Sequence, residues 1–375
     1  LCMHSRTKKI HTNNMTLRDK RQAEFAETWL NHGKFGILNL CPRFGKIRTT
    51  INILNQMNDS CTMLIAYPDN KIKQSWIEEF EEMGYINDNI TYTTHRSLHK
   101  QAGTEFDIVV IDEIHLLSEA QIGVCVDLFS VNDNILGLTG TLSKWTTRTL
   151  RDELGISVIA HYPIEKAIEE GVIADYQINV IKVPLDNITR NEYGKGKIKK
   201  TELQQFKYLS GVINKMMYSG GNSMFMRLAR MRLIQNSLAK QQKTKQILND
   251  NMEQRILVFC GVTSIADSLG IPSYHSKSKD KDALKNFAEG EGTHMAVVKI
   301  GNTGVTYKPL NKVIINYFDS NGENLAQKIN RCMAMEYDTP DKKAQIYIIS
   351  SDEKVEGKWL DKALEFFDKN KIKYV

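Results

Sequence analysis

The stretch that most constrains this chain is Phe106-Asp-Ile-Val-Val-Ile-Asp-Glu-Ile-His115. Its near-continuous apolar run, rich in β-branched residues, predicts a strand buried on both faces, as in a parallel sheet. The run ends abruptly in Asp112, Glu113 and His115. Acids at the carboxyl end of such a strand lie where open α/β sheets bind their ligands. Two adjacent carboxylates there suit a nucleotide site. Asp112 is placed to hold Mg²⁺ through its water shell, and Glu113 to orient and deprotonate an attacking water. A strand followed by a charged turn is the plainer reading of the same residues, so the decision falls on the segments around it.

Upstream, Leu17 to Leu30 reads as a helix with Phe25, Trp29 and Leu30 on one face. Gln22 lies just ahead of that face, where a glutamine is ordinarily a surface residue. Phe35 to Cys41 reads as a strand, and Pro42-Arg-Phe-Gly-Lys-Ile-Arg-Thr-Thr50 as a tight turn opening a helix. A Gly-Lys pair at such a turn is the core of a phosphate cradle. Gly45 lets the backbone close on phosphate, Lys46 reaches the β- and γ-phosphates, and the helix N-terminus adds its dipole. Arg43, Phe44, Ile47 and Arg48 complete the candidate loop. The match is partial: the full G-x-x-x-x-G-K-[ST] pattern needs glycine where Leu40 stands and a hydroxyl where Ile47 stands. Alone, a Gly-Lys pair is more often only a helix start. Further strands at 62–68, 90–94 and 134–143, and a helix at 70–83 carrying Trp76 and Phe80, bring the first half to five strands. That alternation predicts a parallel doubly wound sheet.

From Val158 to Val183 the chain reads as connector and strand. Between 187 and 249, thirteen Lys and Arg stand against two acids, so the net charge of +6 is concentrated there. The block holds Lys195, Lys197, Lys199 and Lys200, then Arg227, Arg230 and Arg232 at helical spacing. A charge run is often a solvated face, but this one stands between two nucleotide-fold halves, which favours contact with a phosphate backbone. The second half then repeats the alternation of strand and helix. Its strands are 255–260, a short one ending at His275, 294–300, 312–318 and 345–350. A helix at 324–335 carries Gln327 and Arg331, and a terminal helix at 354–367 buries Trp359, Ala363, Phe366 and Phe367. No phosphate loop occurs in this half. The expected division is therefore 1–165, a connector with a basic, largely helical insertion at 166–250, and 251–375.

The six cysteines are scattered with no C-x-x-C pair. The expectation is no zinc site, no disulfide framework and a reducing intracellular compartment: the cytoplasm, or that of a host cell if the protein is viral. No apolar run approaches the roughly 18 residues that span a membrane. Residues 1–14 are polar and basic, unlike a secretory signal.

Taken in order, these segments resemble the superfamily 2 helicase and translocase core over essentially the whole chain. Gly45-Lys46 is similar to motif I, Tyr67-Pro68 to motif Ia, Asp112-Glu-Ile-His115 to a DExH-type motif II and Thr139-Gly-Thr141 to motif III. In the second half Val258-Phe259-Cys260 is similar to motif IV, Gly301-Asn-Thr-Gly304 to motif V and Gln327-Lys-Ile-Asn-Arg331 to motif VI. One such match carries little, whereas seven in sequence carry much. The helical middle, Met231 to Ser237 leading to Lys240, is similar to the Snf2-related and phage DNA helicase branch.

The resemblance implies two RecA-like domains, each a mostly parallel sheet with helices on both faces, with ATP and Mg²⁺ in the cleft between them. A nucleic-acid strand, DNA more than RNA, would run across both, and the chain would act as a monomer or loose associate. Gln22 would read adenine. Thr139 and Thr141 would couple the phosphate site to the strand, as would Thr303 with Gly304. Tyr67, Pro68, Thr94, His275, Lys199 and Lys200 are further candidate strand contacts. Arg331 would act as an arginine finger, with Gln327 beside it. Three departures bear on turnover: Ile47 lacks the hydroxyl that ligates Mg²⁺, Ala334 stands where a second arginine is usual, and Asn330 where a glycine is usual. The rival to an ATP-driven translocase is thus an ATP-gated clamp that turns over little.

Overall fold

The computed structural model describes residues 15–57, 61–194, 196–280, 282–298, 307, 310–335, 342–365 and 367–375. The chain forms two compact units, Leu1–Ile173 and Ala174–Val375. In the first, α1 (Leu17–Asn31) leads into β1 (Phe35–Leu40) and α2 (Lys46–Leu54). There follow β2 (Met63–Tyr67), α3 (Asn70–Glu82), β3 (Ile90–Thr94) and β4 (Ile108–Asp112). The unit closes with α4 (Glu119–Ser130), β5 (Ile135–Thr139), α5 (Lys144–Leu154), β6 (Val158–Tyr162) and α6 (Ile164–Glu169). Reciprocal side-chain to backbone capping fixes where helices start, between Thr16 and Asp19 for α1 and between Ser118 and Gln121 for α4.

All six strands are parallel, in the order β3-β2-β4-β5-β1-β6. Every residue of β4 is buried, as its apolar run predicts. Val109 and Ile111 of β4 share a core with Leu98, Ile114, Ile122, Cys125 and Leu128. Because β5 lies between β1 and β4, the loops leaving these three strands open side by side at one edge. The expected strand count of five is too low. Val158–Tyr162, read as connector, is an edge strand that pairs with β1 across a register shift between Ile37 and Leu38. Only Tyr162 of its five residues is buried, so the strand lacks the apolar run that marks the others.

The second unit opens with β7 (Asp175–Val183), β8 (Asn191–Tyr193) and β9 (Ile198–Lys200), then α7 (Glu202–Tyr218), α8 (Met224–Gln235) and α9 (Leu238–Asn249). Next come β10 (Ile256–Cys260), α10 (Thr263–Ser268), β11 (Ser273–Tyr274), α11 (Ala283–Glu289) and β12 (His294–Val298). It ends with β13 (Lys312–Ile315), α12 (Gly322–Ile329), β14 (Lys343–Ser351), α13 (Lys354–Ala363) and β15 (Ile372–Tyr374). The main sheet is again parallel, ordered β11-β12-β10-β13-β14-β7-β15.

Four expectations differ from this. Residues 174–250 belong to the second unit, because β7 pairs with β14 along its whole length. The basic segment is not all helix: Lys199 and Lys200 lie on the β8–β9 hairpin, and Lys195 is outside the described residues. α12 stops at Ile329 and gives way to a 3₁₀ turn, Asn330–Cys332, instead of running to Met335. The terminal helix stops at Ala363, with Leu360, Ala363 and Phe367 buried, and the chain finishes on β15, three residues too short to show a pattern. Among the described residues no helix is long and apolar enough to cross a membrane.

Candidate active site

The loop after β1 is shaped by its backbone. Gly45 sits at φ +100, and a Cβ there would meet Gln22 Nε2 at 2.4 Å, so only glycine fits. Gln22 is buried, not the surface residue its sequence context suggests, and donates from Nε2 to the Phe44 carbonyl at 2.8 Å. Phe44 itself turns inward, packing edge-on against Phe25 and Tyr162. Helix α2 starts at Lys46, with Gly45 as its N-cap and no side-chain cap on its first amides.

Lys46 pairs with Glu113. Glu113 begins the turn after β4 in the left-handed region, φ 49, a strained position for a non-glycine residue that lifts its carboxylate toward the β1 loop. Its second oxygen lies 3.4 Å from His115 Nδ1. That nitrogen is also 2.8 Å from Thr139 Oγ1, whose proton goes to the Thr141 carbonyl at 2.8 Å. His115 is therefore the donor to Thr139. A backbone hydrogen bond from Gly140 also reaches Glu113. Gly140 is glycine for closeness: a Cβ would stand 3.2 Å from Pro42 and 3.3 Å from the Leu40 carbonyl. The ends of β1, β4 and β5 are in this way wired to one carboxylate.

Asp112 is held differently. Trp76 Nε1 donates to its Oδ2 at 3.1 Å, and His95 Nε2 donates to its backbone carbonyl at 3.0 Å. Its Oδ1 is buried with no hydrogen-bond partner among the described residues. Burial, partly offset by Lys46, pushes the Asp112 carboxyl up to about 6. Burial pushes Glu113 up as well but loses to Lys46 and His115, which hold it below the usual carboxylate range. For Lys46 burial likewise opposes the charge, and the Glu113 and Asp112 carboxylates win, raising its pKa. Desolvation drives His95 down to about 4, so that ring is neutral. A cation facing a neighbouring carboxylate with one spare oxygen is an arrangement that can take a polyphosphate and a hydrated divalent ion.

The remaining loop residues divide. Arg48 is committed to α3, bonded to Glu79 and Glu82, and Ile47 is half-buried. Thr49 and Thr50 bond back to the Gly45 and Lys46 carbonyls, so neither hydroxyl replaces the one Ile47 lacks. Arg43 adopts φ 66 in the turn. Tyr67 is buried at the end of β2 with Pro68 half-buried beyond it, and Thr94 is half-buried at the end of β3. Thr139 is wholly buried and Thr141 partly open. Residue spacing singled out neither Trp76 nor His95 for this site. Each lies far from Asp112 in sequence, and nothing local marks the contact.

In the second unit His275 is buried after β11, its Nε2 2.9 Å from Asp267 Oδ1. Gln327 is half-buried on α12, and Arg331 is buried in the following turn, where desolvation lowers its pKa. Lys199 is exposed on β9, and Lys200 sits 3.7 Å above the Tyr208 ring. Thr303 and Gly304 lie outside the described residues.

No family model matches the sequence. The DNA 3'-5' translocase XPB2 of Sulfurisphaera tokodaii is 24% identical over 328 residues, covering 77% of this chain and 72% of that protein. Dbp5 from S. cerevisiae, in a structure bound to RNA and ADP BeF3, superposes with a TM-score of 0.60 at 11% identity, covering 95% of this chain and 89% of that one. The likeness to Dbp5 is one of fold. The helicase domain of Pyrococcus furiosus Hef agrees, with a TM-score of 0.53 at 13% identity over 91% of this chain and 98% of that one. Two parallel-sheet α/β units fit a pair of RecA-like domains.

Proposed function

We propose that the chain is an ATP-dependent nucleic-acid translocase or helicase, acting on DNA in preference to RNA. The observation that carries the reading is the convergence of Lys46, Glu113 and the unpartnered Asp112 oxygen at one edge of the first sheet. Lys46 and the amides opening α2 would bind the β- and γ-phosphates. Glu113 would accept the proton of the attacking water once the incoming phosphates draw Lys46 away. Asp112 would hold Mg²⁺ through water, and that ion when bound supplies charge neutralisation at the phosphates. The His115–Thr139–Thr141 chain gives this reaction centre a wired exit to the β5 loop.

Gln327 and Arg331 are proposed to act on the same nucleotide from the second unit, Arg331 as the finger that stabilises transition-state charge. Tyr67, Pro68, Thr94, Thr141, His275, Lys199 and Lys200 are the proposed strand contacts. The preference for DNA is supported by the XPB2 relative, a DNA translocase by name. The test is ATP hydrolysis measured alone and with single-stranded DNA, duplex, forked DNA and RNA. Stimulation of tenfold or more, larger with DNA, is expected. Equal rates in all five conditions would overturn the reading.

A further inference from the structure

Within the second unit a groove of about 460 Å³ runs between the first two turns of α8 and the start of α13. One wall is Met224, Leu228 and Met231, and the other is Val355 and Trp359. Arg227 and Arg230 stand along it. Arg227 bonds Ser223 Oγ at 3.0 Å and Arg230 bonds Ser210 Oγ at 3.2 Å. Neither forms an ion pair among the described residues, although Glu353 lies near enough to Arg230 to raise its pKa. Burial and Arg227 more than offset that, leaving the guanidinium of Arg230 lowered overall. Exposed Arg227 and half-buried Arg230 thus put two guanidiniums along one groove, with charge to offer an anion. Met224 at its rim is 61% exposed, an apolar side chain left to solvent.

We infer that this groove is an accessory binding site for an unpaired nucleotide of the strand on which the protein acts. The inference rests on the proposed nucleic-acid function and extends it to a surface outside the seven motifs. Flat apolar walls with one aromatic ring accept a base of any identity, and the arginine pair takes the flanking phosphates. The volume suits one nucleoside and excludes a duplex. A peptide carrying an acidic residue is the rival occupant; the preference for a strand comes from two adjacent guanidiniums matched to successive phosphates.

Two measurements test it. The double variant Arg227→Ala/Arg230→Ala leaves α8 a good helix and touches no proposed catalytic group. It should bind a single-stranded oligonucleotide about tenfold more weakly, with the slope of log K against log salt reduced by roughly 0.7 per lost phosphate contact. ATP hydrolysis without nucleic acid should be unchanged. Independently, a 5-iodouracil oligonucleotide irradiated on the wild-type protein should crosslink within 222–231 or at Trp359. Wild-type affinity and slope in the variant, or crosslinks confined to other segments, would overturn the groove while leaving the proposed function standing. A wild-type protein that binds no oligonucleotide would overturn both.

Discussion

Each unit buries a lysine–glutamate pair beside its sheet, and the two are finished differently. In the second unit Lys240 and Glu356 have side chains only 1% exposed, and the other Glu356 oxygen accepts the Ser351 amide at 2.6 Å. Lys240 also lies 5.4 Å above the Phe318 ring. In the first unit Lys46 and Glu113 remain 16% and 23% exposed, with an unpartnered Asp112 oxygen beside them. A closed ion pair organises packing, and an open one with a spare acceptor organises a ligand. The difference separates the structural polar network from the chemical one without reference to any motif.

Breaking each pair in turn is the sharpest way to test that separation, and the closed pair should show the largest effect. Lys240→Ala strands a carboxylate at 1% exposure, which costs about 3–5 kcal/mol. Lys240→Met with Glu356→Leu removes both charges and should recover most of that loss. Lys46→Ala should abolish ATP binding while moving the thermal midpoint little. The comparison breaks if Lys240→Ala melts like wild type in a thermal scan.

A smaller effect is expected at Ile47. Mg²⁺ accepts shells made largely of water, so the missing hydroxyl weakens the ion's hold without abolishing it. Ile47→Thr should lower the Mg²⁺ concentration giving half-maximal ATPase activity several-fold, with unchanged melting. Should wild type fail to hydrolyse at saturating Mg²⁺ while the threonine variant succeeds, the clamp reading replaces the translocase one.

The smallest effect is one of cancellation. His95 has a folded pKa of about 4 against an ordinary 6.5, so the unfolded chain takes up a proton first as pH falls, and stability drops across that window. Asp112 has a folded pKa of about 6 against 3.8, so the folded chain takes up the proton first and stability rises as pH falls. Between about pH 6 and 4 the two oppose, each at no more than about 1.4 kcal/mol per pH unit. Relative to wild type, His95→Gln should gain stability from pH 7 to pH 5, and Asp112→Asn should lose it. Parallel melting curves for all three proteins would refute both assignments.

Much of the site was legible because it hangs on strand ends. The apolar run of β4 and the Gly-Lys turn after β1 are local signals, and a parallel sheet brings their loops to one edge. What escaped was carried between distant elements. Trp76 holding Asp112, His95 holding its carbonyl and His115 reaching Thr139 depend on the packing of α3, β3, β4 and β5, which no short pattern encodes. The apolar stripe of α1 leaves Gln22 on the surface side, whereas the bond to the Phe44 carbonyl turns it inward. Of the four strands that the sequence does not announce, β6 and β15 are edge strands whose few buried residues leave no period, and β8 and β9 are three-residue arms of a hairpin. Sequence proximity assigns Arg48 to the phosphate loop, yet α3 offers it two glutamates.

The central claim is that Glu113 is the base of an ATPase whose nucleotide is held by Lys46 and Asp112. Glu113→Gln tests it most directly, because the amide keeps the shape and loses the proton acceptor. The account predicts ATP affinity near that of wild type and steady-state hydrolysis reduced roughly a hundredfold or more in the presence of DNA. Hydrolysis at the wild-type rate in that variant would contradict it.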